Sequence, residues 1–210
     1  GGHSFNVQLA YTNSLLDSLT ISNGYTAGSG GGVNINPGGS LTHCLVTDCF
    51  VDESAGGRGG GIMIQSATGT VANCIIRRNV SQGRSGGGGI CVFNNGDAVI
   101  EHCLIEHNRL MTNCHGGGIS VENSLVTVRN CLIRHNRTTN NYHGAGISLD
   151  DASATKVKIV NCTIVSNVCG GVGGGVVFFG TTAKSNVIVN SILYGNHKLD
   201  SATPDNVYDI

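Results

Sequence analysis

Tryptophan is absent from this 210-residue chain, proline occurs twice, and aromatic residues together make only 5%. Charged residues make 12% and nearly cancel, with 12 Lys and Arg against 13 Asp and Glu. That balance excludes a basic nucleic-acid-binding domain, and it excludes a chain kept extended by its own charge. No apolar run approaches the roughly 18 residues of a membrane span. No Met opens the chain and no signal-peptide pattern follows, so the sequence reads as a mature or excised piece of a longer protein. Glycine is in excess, at 33 residues against a usual share of roughly 7%. The apolar fraction of 40% is enough to fill a core, and the length suits one domain.

The glycines are periodic. A Gly cluster followed by an aliphatic residue ends at Val33, Ile62, Ile90, Ile119, Ile147 and Val176, at spacings of 29, 28, 29, 28 and 29. A second motif, Cys-x-aliphatic-x-x-Asn, keeps the same beat. It starts at Cys44, Cys74, Cys103, Cys131 and Cys162, with Leu19 before and Ser191 after. It closes on Asn79, Asn108, Asn136, Asn167 and Asn196. Two motifs holding register over six or seven repeats mean a stacked array rather than a globule.

Within a repeat the apolar period is two. Ile119 and Val121, Val126 and Val128, then Cys131 and Ile133 alternate with polar neighbours. This reads as three short strands per repeat, bounded by turn residues. A repeat of 28–29 residues cannot bury a core alone. Stacked coils share one, each strand pairing with its copy in the next coil. Three inward ladders follow: Val33 to Val176 as above; Leu16, Leu41, Val71, Ile100, Val128, Ile159, Ile188; and Ile21, Val46, Ile76, Ile105, Ile133, Ile164, Leu193. The Cys column is a fourth, read as buried thiols acting as small hydrophobes. Cys91, Cys114 and Cys169 fall on outer or loop positions. Asn73, Asn130, Asn161 and Asn190, with His43 and His102, form a corner column suited to the left-handed conformation.

The segments "NCLIRHN … GAGIS" and "ANCIIRRN … GGGGI" resemble right-handed parallel β-helix repeat proteins of the pectate-lyase-like superfamily. They are most similar to the Gly-Gly-x-Ile and x-x-Asn repeats of bacterial polymorphic outer-membrane and related secreted surface proteins. The resemblance covers roughly residues 14–196 and implies the right-handed winding. The expected fold is an all-β solenoid of three parallel sheets and about seven coils, the first incomplete, over 1–197. Residues 198–210 form a tail or the entry to a further coil.

The resemblance also implies that chemistry, where present, sits on the outer face of the first strand and its adjoining loops. There Glu122 and Asp150 stack on adjacent coils with Asp151 beside them. Such carboxylates could serve acid–base work or hold calcium, the one cofactor considered. His115 and His143 stand in successive loops just before the Gly cluster and complete the candidate catalytic set. No Arg or Lys can be placed among these outward positions, which counts against a lyase. No Cys-x-x-Cys exists, so no metal site is assigned. Candidate binding positions are Asn36, Gln65 and Phe93 on the same face, and Arg77, Glu106 and Arg134 as an ion-pair ladder on the third strand. Apolar outward residues Val160, Val177, Phe179, Val187, Val189 and Tyr194 mark a candidate interface with a neighbouring domain or partner protein. The function expected is a noncatalytic, secreted or cell-surface bacterial module, adhesin-like or scaffolding, with a polysaccharide or host glycan as partner. The alternative is a polysaccharide lyase or glycoside hydrolase.

Overall fold

A computed structural model describes residues 6–52, 56–66, 68–83, 86–94, 96–112, 114–150, 156–179, 186–201 and 203–209. Among the described residues there is no helix, and every pairing between strands is parallel. In the fifth coil the strands are Ile119–Glu122, Leu125–Arg129, Leu132–Arg134 and Arg137–Thr138. Each stacks on its equivalent in the next coil, which builds four sheets of eight, seven, seven and seven strands.

The three inward ladders of the sequence pair as expected, residue upon residue. Most of their members are fully buried. Seven coils carry all four strands, and Val207–Asp209 adds an eighth strand to the first sheet. The expectation was three sheets and an incomplete first coil. The fourth sheet escaped because its strands are two residues long, one facing out and one in, too short to show a period. The first coil has its four strands at Val7–Leu9, Leu15–Asp17, Thr20–Ser22 and Tyr25–Thr26, without the Gly cluster that marks the others.

Two corners bend by single left-handed residues. Ser18, His43, Asn73, His102, Asn130, Asn161 and Asn190 hold φ of 47–57° between the second and third sheets. Asn23, Asp48, Arg78, His107, His135 and Ser166 hold 54–57° between the third and fourth. Asn and Asp visit this region cheaply. Arginine and histidine there are held by the bonded strands on either side.

Behind the second corner the Asn column turns inward. Asn79, Asn108, Asn136, Asn167 and Asn196 are at most 1% exposed. Asn136 Nδ2 donates to Ile105 O at 2.9 Å and to Asn167 Oδ1 at 3.1 Å. Its Oδ1 accepts both the backbone N–H and the amide of Asn108. The pattern repeats from the third coil to the seventh, through Asn79, Asn108, Asn136, Asn167 and Asn196. At its C-terminal end Asn206 supplies the accepting oxygen for Asn196. Burial of five amides is tolerable because each is hydrogen-bonded.

Candidate functional site

The first sheet presents two outward columns. One runs Asn34, Met63, Cys91, Ser120, Ser148, Val177. The other runs Gln65, Phe93, Glu122, Asp150, with Asn36 before it and Phe179 after it. A solvated sheet would leave both wet. Here Met63, Cys91, Ser120, Ser148 and Val177 are at most 1% exposed, because the loop before each Gly cluster folds across them. Gly144 shows why glycine stands there. Its φ is +62°, and a Cβ would come within 2.6 Å of Val177 Cγ1.

The residue one place before that left-handed glycine projects over the outer face. In successive coils it is Arg58, Gly86, His115, His143 and Val172, each lending its carbonyl to a glycine N–H of the preceding coil. Arg58 spans two coils. Its Cζ lies 3.4 Å from the centroid of Phe93, and its Nη1 meets Glu122 Oε2 at 2.6 Å. Both charged side chains are at most 20% exposed. Cys114 Sγ stands 3.8 Å and Ser120 Oγ 3.5 Å from the other Glu122 oxygen. Burial and the Glu122 charge push the Cys114 thiol up to about 12, which makes it a poor nucleophile.

Two coils on, His115 and His143 pack with centroids 5.0 Å apart, and Phe179 covers both at 4.4 and 5.4 Å. His115 Nδ1 accepts the His143 amide at 3.2 Å, and His143 Nδ1 accepts the Val172 amide at 2.8 Å. A protonated Nδ1 cannot accept, so both rings are neutral with hydrogen on Nε2. Burial lowers His115 to about 4, helped by His143 and opposed by Asp150.

The proposed catalytic set therefore divides. Glu122 closes onto Arg58, while the histidines close onto backbone and Phe179. Asp150 is exposed on the column beside them. Asp151 lies outside the described residues. Among the described residues no three His, Cys, Asp or Glu side chains gather as metal ligands would. Arg58 is the residue sequence reasoning missed. It occupies the same place before the Gly cluster as His115 and His143, a signal that was available, but its reach across two coils was not.

Other expectations need correction. Cys91 and Cys169 are fully buried, and only Cys114 is partly exposed. The roof that hides Met63 hides Cys91. Cys169 is the inward residue of a two-residue strand that the sequence did not reveal. Of the charged column on the third strand, Arg134 Nε pairs with Glu106 at 2.8 Å, while Arg77 Nε is buried with no partner. Asn36 is exposed, and Gln65 and Phe93 are half-buried. Val177 is fully buried under the loop roof, and Phe179 is half-buried against the histidines. Val160 is half-buried, whereas Val187, Val189 and Tyr194 are exposed. All nine cysteines are free thiols.

A family model described as a right handed beta helix region matches residues 5–196. Neither the curated proteins nor the solved structures give a match.

Proposed function

Since the chain belongs to the right-handed β-helix family, a fold that hosts many chemistries without implying any, we propose that it is a noncatalytic module. On this reading it is adhesin-like or scaffolding, secreted or held on a bacterial cell surface, and it contacts glycans through its outer faces. One observation carries the reading. Glu122, His115 and His143, the candidate groups that the structure places beneath or within the loops of the first sheet, are engaged in holding those loops down. Both imidazole Nδ1 atoms accept backbone amides, and Glu122 is paired under a stacked guanidinium. A general base needs a free lone pair aimed at substrate.

The alternative, a polysaccharide lyase or glycoside hydrolase, draws support from Arg58 standing beside Glu122, one coil from Asp150. A panel of neutral and acidic polysaccharides decides between them, assayed for new reducing ends and for unsaturated products. The module reading expects neither product after prolonged incubation, and turnover of any polysaccharide abolished by Glu122→Gln overturns it. Exposed Val187, Val189, Ile192 and Tyr194 mark where a neighbouring domain or partner protein would rest.

A further inference from the structure

Where the third sheet turns into the fourth, the inward Asn is flanked by outward columns in which Arg78, His107, Arg109, His135 and Arg137 are exposed, Arg77, Val80 and Arg134 half-buried, and Glu106 buried. Three successive coils there present Arg77, Arg78 and Val80; Glu106, His107 and Arg109; and Arg134, His135 and Arg137. Five of the 12 Lys and Arg residues lie in this block against one glutamate, on a chain whose net charge is −1.

Two of the five are neutralised. Arg134 pairs with Glu106, and Arg78 pairs with Asp48 at 2.7 Å. Among the described residues no carboxylate lies within ion-pair distance of Arg77, Arg109 or Arg137. Arg109 and Arg137 are exposed and stack in register, about 4.8 Å apart along the solenoid. Like charges placed directly opposite destabilise a sheet. The chain solves the same problem elsewhere by alternation, as where Arg129 Nε meets Glu101 at 2.6 Å. Beside the arginine pair the rings of His107 and His135 stack, with centroids 5.1 Å apart and 16° between planes. Burial, His107 and Arg134 hold His135 below the usual histidine range, and Glu106 opposes them. Two exposed unpaired guanidiniums, Arg109 and Arg137, and two exposed imidazoles thus face one strip of solvent beside the half-buried Arg77, where an anion would relieve their repulsion.

We propose that this corner binds a linear acidic polysaccharide lying along the solenoid axis, its carboxylates or sulfates bridged by Arg109 and Arg137 and flanked by Arg77 and the histidine stack. The inference rests on the reading of the chain as a glycan-contacting module and names the glycan class. Guanidinium forks match planar carboxylate and sulfate oxygens in pairs. Arg109 and Arg137 stand one coil apart, a spacing suited to a polymer with a charge on successive sugar rings. Single-stranded nucleic acid fits poorly, because the block offers no Phe, Tyr or Trp on which bases would stack.

The test is titration calorimetry of the full chain with polygalacturonate and dextran sulfate, with dextran as the uncharged control and a single-stranded oligonucleotide as a rival polyanion. At least one acidic glycan is expected to bind, weakening with salt, while dextran does not. The double variant Arg109→Ala/Arg137→Ala should weaken binding about tenfold or more, as loss of two charge-assisted contacts implies. Its melting temperature should hold or rise, since repulsion is relieved. The double variant Lys156→Ala/Lys158→Ala, which removes equal charge from the second sheet, should bind as the parent does. Binding should strengthen on acidification below the usual histidine range as His135 charges, and His135→Gln should flatten that response. Equal losses in the arginine and lysine variants, tighter binding of the oligonucleotide, or no binding of either acidic glycan each overturn the inference. Unaltered binding of the acidic glycans by the arginine variant would sink this site while leaving the module reading intact. Cleavage of polygalacturonate would instead sink the module reading.

Discussion

Cys74 Sγ donates to the Ala72 carbonyl at 3.1 Å across the left-handed corner and accepts the Cys44 amide at 3.4 Å. Ser191, in the same column, does both with oxygen. It donates to Val189 O at 2.9 Å and accepts the Cys162 amide at 3.1 Å. The thiols are therefore corner clasps as well as small hydrophobes. Cys74→Ser should cost less than about 1 kcal/mol, whereas Cys74→Val, which fits the space but orphans an amide and a carbonyl, should cost about 2 kcal/mol. Urea denaturation of the two variants measures the difference. His115 carries a second prediction. Its folded form resists protonation until about pH 4, while the unfolded chain takes up the proton near 6.5. Its contribution to stability is complete above pH 6.5, is lost as pH falls toward 4, and is flat below that. Melting curves across this window should show a steeper acid loss in the parent than in His115→Asn, whose Oδ1 replaces the accepting Nδ1 without titrating.

Among the elements, the inward ladders were legible because period-two alternation repeated seven times in register. The corner columns were legible because Asn recurred where a left-handed residue was needed. The buried Asn column was visible only as a recurrence. Nothing in the sequence says that its amides bond to one another rather than to solvent, since the fourth strand that turns them inward is two residues long. The Arg58–Glu122 pair was hidden for another reason: it joins residues 64 apart, through a side chain that crosses two coils. A prediction belongs to the Asn ladder. Asn136→Leu conserves volume but strips acceptors from two Asn108 donors and the donor from Ile105 O. A loss of at least about 3 kcal/mol is expected by urea denaturation. Asn206→Ala, at the ladder's end and half-buried, should cost distinctly less.

At the scale of the whole molecule, the strands of each coil pair only with those of its neighbours, so stability is close to a sum of coil and interface terms. Deleting residues 119–146 joins Gly118 to Ile147 and leaves every ladder in register. The shortened chain should keep its strand spectrum, melt lower, and lose about one seventh of the urea m-value, because m follows the surface exposed on unfolding. A loss of cooperative unfolding would show that the coils are not interchangeable. The ladder has one more consequence, for where such a chain can be made. Asn79-Val80-Ser81 and Asn136-Arg137-Thr138 are acceptor sequons for N-linked glycosylation. In the folded chain both asparagines are fully buried, with their amides spent on neighbouring coils. A glycosyltransferase acting on the nascent chain meets them before burial, and one glycan on either would leave a coil that cannot close. The fold thus suits synthesis by a route that adds no such glycan, and passage through a glycosylating secretory pathway should give modified, unfolded chains that an inhibitor of glycan transfer rescues.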